Sequence, residues 1–277
     1  MSDASAAQSA ERGGDYVIRG GREGKRRLEV LGRIMWPTTF QLLTRNGVGP
    51  GMICLDMGCG GGDVTLGLAR LVGPGGRVVG IDLDAVKLDA AREEAARESL
   101  CVEFRQANIY QWHEERTYDC IYVRFLLTHL PDRHGALAVL RRALKPGGVL
   151  IVEDIDFNGS FSHPRCAAFE QYVDWYRQVV ERRGGDADVG PKLYGLLLDA
   201  GLQSVRMALV HPFHIDQEEK ALSLSTLINI AEAVEREGLA ERAELEQAIA
   251  ELSVFTEDPT TVLSLPRVFQ AWGRRAG

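Results

Sequence analysis

Residues Met52–Asp63 read MICLDMGCGGGD, and this stretch decides the fold of the chain. An apolar run ends in an aspartate, three glycines follow at alternate positions, and a helical pattern then opens at a second aspartate. The residues of this turn are Asp56, Gly58, Gly60, Gly62 and Asp63. A strand that enters a glycine-rich turn and then a helix brings backbone close to a nucleotide-like ligand.

The charges beside the turn indicate which ligand it suits. A dinucleotide site places a pyrophosphate on the helix N-terminus and requires the pattern G-x-G-x-x-G/A. That pattern fails here at Asp63, and Asp56 adds a second acid before the turn. Since like charges about 4 Å apart repel by several kcal/mol at intermediate dielectric, these acids disfavour a pyrophosphate. They suit a ligand with a cationic end, such as S-adenosylmethionine with its ammonium and sulfonium groups.

The pattern D-x-G-x-G-x-G that begins at Asp56 resembles the first motif of the class I S-adenosylmethionine-dependent methyltransferases. A second feature, the turn KPGG at 145–148 before an apolar strand, is typical of the same family. Together they extend the resemblance over residues 50–157. The resemblance implies an enzyme that transfers a methyl group from S-adenosylmethionine. The alternative is that the three glycines only form a tight turn.

Composition narrows the class of protein. The chain has 277 residues, 45% apolar and 26% charged, enough for one large α/β domain or a domain with an insertion. It contains no apolar run of the roughly 18 residues that a membrane span needs. Its net charge of −7 gives no general attraction to nucleic acid. Cys54, Cys101 and Cys120 fall in apolar runs, which predicts reduced core residues of a cytoplasmic protein.

Strand and helix patterns alternate as far as residue 153. They predict an α/β fold with a doubly wound, mostly parallel, seven-stranded Rossmann-like sheet, and helical insertions that form a substrate cap. We expect the last two strands to pair antiparallel, and Pro37 to end a first helix before a short one over Thr38–Arg45. The expected segments are a disordered tail (1–14), an N-terminal helical lid (15–48), an S-adenosylmethionine-binding core (49–157), a helical cap (158–188), a core helix and sixth strand (189–215), a helical insertion (216–260) and a final strand (261–277).

Ligands of such sheets bind beyond the carboxyl ends of the strands. Asp82 ends the second strand, 20 residues after Gly62, where related folds bind ribose hydroxyls, whereas Asp84 suits the N-cap of the next helix. The family usually has an acid where this chain has Asn108, whose amide can accept from or donate to adenine. The resemblance implies a cofactor site formed by Tyr16, Asp56, Gly58, Gly60, Gly62, Asp82, Leu83, Asn108, Ile109 and Arg124.

The basic N-terminal arm over residues 19–33 has several interpretations. In related methyltransferases an N-terminal helix with a leading tyrosine often folds over the cofactor, and Tyr16 stands at that place. The basic residues could support such a lid, or form the solvated face of a helix. They are also the one feature that favours docking of RNA or protein, against the acidic charge of the whole chain.

Methyl transfer requires an aligned nucleophile and the exclusion of water, and an acidic nucleophile also needs a base. His129 is the first candidate base because it follows the fourth strand and titrates near neutral pH, although it could instead bond to backbone. Asp154 is the second, with Asp156 beside it, and either acid could instead cap a loop or pair with Arg124. Because a cation at Arg124 opposes Mg²⁺, no metal site is expected.

An aromatic helix over 164–180 predicts the nature of the substrate. Its apolar face either packs into the core or forms a pocket wall, with Trp175 or a tyrosine toward the substrate. We therefore expect a small, apolar or aromatic substrate of secondary metabolism. We expect no membrane or nucleic-acid partner, and the sequence leaves open whether the protein forms a homodimer. The alternatives are an RNA or protein methyltransferase and a non-catalytic S-adenosylmethionine-binding partner protein. We expect one face of this helix to carry Phe169, Tyr172, Val173, Tyr176 and Val180, with Trp175 beside it. His211 and His214, near the end of the sixth strand, could line the substrate pocket or lie exposed at the surface.

Overall fold

The computed structural model describes residues 22–277, and for residues 22–26 and 28 it describes the backbone alone. The predicted tail at 1–14 and the candidate Tyr16 lie outside the described residues. Within the described part, no helix is both long and apolar enough to cross a bilayer.

Seven strands form the central sheet in the order β3-β2-β1-β4-β5-β10-β7. The strands β1 to β5 pair in parallel, and β10 runs antiparallel to both β5 and β7. The predicted mostly parallel sheet and the antiparallel final pair are confirmed. The bounds are β1 (Ile53–Met57), β2 (Arg77–Asp82), β3 (Val102–Gln106), β4 (Tyr118–Arg124), β5 (Leu144–Asp156), β7 (Gln203–Val210) and β10 (Arg267–Arg274).

Helices cover both faces of this sheet, because successive side chains of a strand point to opposite faces. In β4, Ile121 packs with one set of helices, while its neighbour Tyr122 packs with another. The helices are α1 (Arg22–Arg45), α2 (Asp63–Val72), α3 (Ala85–Arg97), α4 (Arg133–Ala143), α5 (Ala167–Arg182), α6 (Leu193–Asp199), α7 (Gln217–Arg236) and α8 (Arg242–Glu257). Helices α5, α7 and α8 share a separate core with Ile155 and Phe157 at the end of β5.

A second, three-stranded sheet was not predicted. It consists of β6 (Ser162–His163), β8 (Phe213–His214) and β9 (Val262–Ser264), in the order β6-β9-β8. The expected sixth strand ends early, at Val210, because Pro212 has no N–H to continue a ladder.

The prediction that all three cysteines named above are core residues is wrong for Cys101, which is exposed before β3.

Helix α1 is continuous through Pro37, so the predicted break at this residue is wrong. Proline removes one helical hydrogen bond and usually costs about 3 kcal/mol in a helix interior. Here the residues on both sides are held by tertiary packing, since Met35 and Leu42 are both almost fully buried. Packing of one face of the helix therefore outweighs the local preference.

A buried carboxylate, Glu153 of β5, joins α1 to the centre of the sheet. It accepts hydrogen bonds from the Thr39 hydroxyl at 2.6 Å, from the Gln270 amide at 2.7 Å and from the Tyr122 hydroxyl. Three donors satisfy a charge that would otherwise be costly to bury. This network could not be predicted from the sequence, because its members lie far apart along the chain.

We expect Thr39→Val to lower the free energy of unfolding by about 1–3 kcal/mol, since it leaves a buried carboxylate short of one donor. Thr44→Val is the matched control, because Thr44 is exposed on the same helix and bonds only to backbone carbonyls nearby. It should change stability by no more than about 0.5 kcal/mol. Urea denaturation measures both, and equal effects would show that the network contributes nothing.

Candidate functional site

The glycine turn after β1 contains three left-handed residues, with φ of +77° at Gly58, +53° at Gly60 and +83° at Gly62. A Cβ atom at Gly62 would lie 2.9 Å from the Cβ of Ala91, whereas one at Gly60 would meet no atom within 4 Å. Gly62 is therefore required for packing as well as for its backbone conformation. Gly60 leaves its backbone open on the side where a ligand can approach.

Asp82, at the end of β2, is only 5% exposed and holds the glycine turn in place. One of its oxygens accepts the N–H of Gly60 at 2.9 Å, and the other accepts the N–H of Asp84 at 2.9 Å. Each oxygen keeps a second lone pair for another donor. Asp84 itself accepts the N–H groups of Val86 and Lys87, which confirms its predicted role as the N-cap of α3.

The two acids beside the turn each bond to a side chain of the protein. Asp56 is buried and accepts the Thr65 hydroxyl at 2.6 Å, and burial raises the pKa of this carboxyl to about 7. Asp63 forms an ion pair with Arg124 at 2.5 Å. Both acids that were expected to suit a cationic ligand therefore have partners within the chain. Arg124 keeps one nitrogen, Nη1, that is buried and has no hydrogen-bond partner in the described part of the chain.

The remaining candidates for cofactor contact differ in the polarity and the exposure of their side chains. The side-chain oxygen of Asn108 accepts the N–H of Tyr110 at 2.9 Å. The amide nitrogen of Asn108 can therefore still donate to a ligand. Leu83 is 41% exposed, but Ile109 is 6% exposed and packs into the main core. A contact from Ile109 would therefore come from its backbone rather than from its side chain.

A strained residue that was not predicted, Phe125, directly follows strand β4. Phe125 has φ of +53°, a conformation that bulky side chains rarely adopt and that costs about 1–3 kcal/mol. Its N–H bonds to the carbonyl of Glu153 at 2.9 Å, and its ring lies 5.6 Å from the Arg124 guanidinium. No motif marks such a site, because the strain results from the way β4 turns into the next segment.

His129 lies in the 3₁₀ turn Leu127–His129 that follows β4. Burial lowers the pKa of His129 to about 4, and nearby cations act in the same direction. Those cations are Lys87, Arg27 and Arg183. The expectation that this histidine titrates near neutral pH is therefore wrong, since it stays uncharged throughout the physiological range.

Asp154 and Asp156 do not pair with Arg124, one of the alternatives left open by the sequence. Asp154 is fully buried and accepts the N–H groups of Ile155 at 2.9 Å and Thr128 at 3.2 Å. It therefore holds the turn that carries His129, and burial raises the pKa of its carboxyl to about 7. Asp156 is 1% exposed and pairs with Arg267 at 2.5 Å.

The histidines near the sixth strand have structural contacts. The ring Nε2 of His211 lies 3.2 Å from the carbonyl oxygen of Leu265. His214 is buried, and its Nδ1 lies 2.7 Å from a carboxylate oxygen of Glu219. Among the described residues, no group of three or more histidine, cysteine, aspartate or glutamate side chains could hold a metal ion.

The aromatic face of α5 lies at the carboxyl end of β5. Tyr176 stacks on Phe157, which directly follows that strand, with ring centroids 4.2 Å apart. Tyr172 lies 6.5 Å from Tyr176 in an edge orientation. Phe157, Tyr172, Trp175 and Tyr176 all belong to the same apolar core and are between 3% and 7% exposed. Arg27 of α1 reaches this place and donates from Nε to the Thr226 hydroxyl of α7 at 3.0 Å.

Comparison with known proteins supports one family. Residues 54–148 match a family model described as a methyltransferase domain. The ubiquinone/menaquinone biosynthesis C-methyltransferase UbiE of Klebsiella pneumoniae is 33% identical over 180 residues, which cover 58% of this chain and 70% of that protein. The Escherichia coli K12 protein of the same name matches to the same extent.

Solved structures agree with the fold. Phosphoethanolamine N-methyltransferase 2 of Haemonchus contortus, in complex with S-adenosyl-L-methionine, superposes with a TM-score of 0.56 at 17% identity, over 91% of this chain and 57% of that one. Geranyl diphosphate C-methyltransferase of Streptomyces coelicolor gives a TM-score of 0.53 at 17% identity, over 92% and 86%. The chain belongs to the class I S-adenosylmethionine-dependent methyltransferases, and S-adenosylmethionine is its cofactor.

Proposed function

We propose that this enzyme methylates an oxygen, nitrogen or carbon atom of a small molecule with an aromatic or apolar body. The observation that carries the proposal is the aromatic wall formed by Phe157, Tyr172 and Tyr176, three rings of the buried core that lie at the carboxyl end of β5. Ligands of this sheet type bind at that edge, and such rings suit a flat apolar molecule. The UbiE relatives are C-methyltransferases by name, which favours carbon as the acceptor atom.

Three features at the carboxyl ends of β1, β2 and β4 fit S-adenosylmethionine. The open backbone at Gly60 allows close approach, and the free lone pairs of Asp82 suit the two ribose hydroxyls. The unpartnered Nη1 of Arg124 suits the carboxylate of the methionine moiety. We further propose that the Asn108 amide donates to adenine while Leu83 covers the ring. Asp56 then acts indirectly, by fixing the turn through Thr65.

When bound, the cofactor supplies a methyl group on a sulfonium, a good leaving group. The residues of the chain then have to align the acceptor and exclude water. A histidine with a pKa of about 4 is a weak base, so we propose that His129 orients the acceptor by hydrogen bonding. Asp154 of β5 positions His129 by accepting the N–H of Thr128, the preceding residue of the 3₁₀ turn. In the same proposal the segments 15–48 and 158–188 serve as lid and cap.

Incubation of the enzyme with methyl-labelled S-adenosylmethionine and a cell extract tests this function. We expect the label in the small-molecule fraction, in a compound whose mass has increased by one methyl group. Label in RNA or protein would favour a macromolecular substrate instead. Binding of the cofactor without any labelled product would indicate a non-catalytic binding protein.

A further inference from the structure

Arg27 of α1 is a half-buried cation for which no ion pair exists within the described part of the chain. Its only hydrogen bond among the described side chains is from Nε to the Thr226 hydroxyl, and Thr226 is 4% exposed. Burial lowers the pKa of Arg27, and the groups that oppose this effect are the hydroxyls of Tyr172 and Tyr176 rather than a carboxylate. Because the Nη nitrogens of Arg27 bond to no described residue, this half-buried guanidinium can bind an anionic group of a ligand.

The surroundings of His129 give independent support. The charges that lower the pKa of this ring are the cations Lys87, Arg27 and Arg183, which indicates an electropositive region inside a chain of net charge −7. Two of the three cations involved have partners elsewhere: Arg183 pairs with Glu237 at 3.3 Å, and Lys87 lies 3.6 Å from Asp84. Arg27 is the member of the set for which no ion pair exists in the described part of the chain.

The acid closest to this cluster does not neutralise it. Asp154 influences the pKa of Tyr176, but its own oxygens accept backbone N–H groups. Burial raises the pKa of the Asp154 carboxyl to about 7, so a large part of it is uncharged at neutral pH. The cluster therefore offers a guanidinium and two phenol hydroxyls as donors, beside the stacked rings of Phe157 and Tyr176.

We infer that the methyl acceptor carries an oxyanion, a carboxylate or a phosphate, which binds to Arg27 and to the hydroxyls of Tyr172 and Tyr176. The planar guanidinium fork matches either anion, and charge-assisted hydrogen bonds are the strongest kind. The stacked rings then hold the apolar body of the same molecule. This inference rests on the proposed small-molecule methyl transfer, and it adds an anionic group to an acceptor otherwise expected to be apolar or aromatic.

The test compares matched probes in the presence of S-adenosylhomocysteine, with calorimetry as the readout. Benzoate is compared with benzamide, and phenyl phosphate with phenol, so that the two arms distinguish a carboxylate from a phosphate. At least one anion should bind about tenfold or more tighter than its neutral partner, as expected for one charge-assisted hydrogen bond. Arg27→Met should abolish that preference, and Arg27→Lys should retain part of it.

Arg33→Met is the matched control, because Arg33 is an exposed cation of the same helix that pairs with Glu218 at 2.5 Å. It should leave the preference for the anion unchanged. Arg27→Met should melt close to the temperature of the unmodified protein, since Arg27 is only half-buried and has no ion pair in the described part of the chain. Retention of cofactor affinity shows that Arg27 lies outside the cofactor site.

Equal binding of charged and neutral probes to the unmodified protein would overturn the inference. A loss of S-adenosylmethionine affinity in Arg27→Met would also overturn it, by assigning Arg27 to the cofactor. The two proposals can fail separately. If the protein transfers label to a small molecule but shows no preference for anionic probes, only the inferred anionic group of the acceptor is wrong. If the protein transfers no label to any small molecule, the proposed methyl transfer to a small molecule is itself wrong.

Discussion

Asp82→Ala should weaken the binding of S-adenosylmethionine by about 1–3 kcal/mol, roughly tenfold to a hundredfold in the dissociation constant. The substitution removes the proposed acceptor of the ribose hydroxyls. It also releases the N–H groups of Gly60 and Asp84, which the carboxylate now holds at 2.9 Å each. Isothermal titration calorimetry measures the change directly.

Asp84→Ala provides the control for Asp82→Ala. Asp84 caps α3 by accepting from Val86 and Lys87, and loss of such a cap costs about 1 kcal/mol of stability. We therefore expect Asp84→Ala to unfold more easily while its affinity for the cofactor stays within a factor of about two. If both variants lost affinity equally, the carboxylate of Asp82 would have no special part in binding.

Gly62→Ala should destabilise the protein by about 2–4 kcal/mol, the largest stability effect that we expect in the turn. Two costs combine, since φ is +83° and the added Cβ would lie 2.9 Å from Ala91 and 3.2 Å from the ring of Phe104. Neither neighbour is the end of a long flexible side chain, so the helix or strand that carries it has to shift.

Gly60→Ala separates packing from binding in the same turn. Its φ of +53° costs about 1–2 kcal/mol with a side chain, but the new Cβ meets no atom within 4 Å. It should therefore unfold less easily than Gly62→Ala and bind S-adenosylmethionine more weakly than the unmodified protein. Urea denaturation measures the change in stability, and calorimetry measures the change in affinity. An unchanged affinity in Gly60→Ala would show that the ligand does not bind on that side of the turn.

The sheet could be predicted because its signals are local. The strands are short apolar runs that end in turns, and the glycine pattern after Asp56 requires a particular backbone conformation. Helix α1 was wrongly divided at Pro37 because packing with the sheet, which stabilises it, is not encoded in its own sequence. The second sheet was missed because strands of two or three residues carry almost no pattern.

The site was predicted in position but not in charge. Asp82 and Asn108 lie at strand ends, as a parallel sheet requires, whereas the Asp63–Arg124 ion pair joins residues 61 apart along the chain. The titration of His129 could not be predicted either, because it depends on Lys87, Arg27 and Arg183 from three other segments. Burial and long-range charge decide the chemistry of this crevice, and neither is visible before the chain is folded.

A crystal structure of the protein with S-adenosylhomocysteine tests the central claim most directly. We predict that the ribose hydroxyls lie within hydrogen-bonding distance of both Asp82 oxygens. The same structure should place the methionine carboxylate on Nη1 of Arg124 and the sulfur toward the wall of Phe157 and Tyr176. A ribose bound elsewhere, with Asp82 still bonded only to Gly60 and Asp84, would contradict the account.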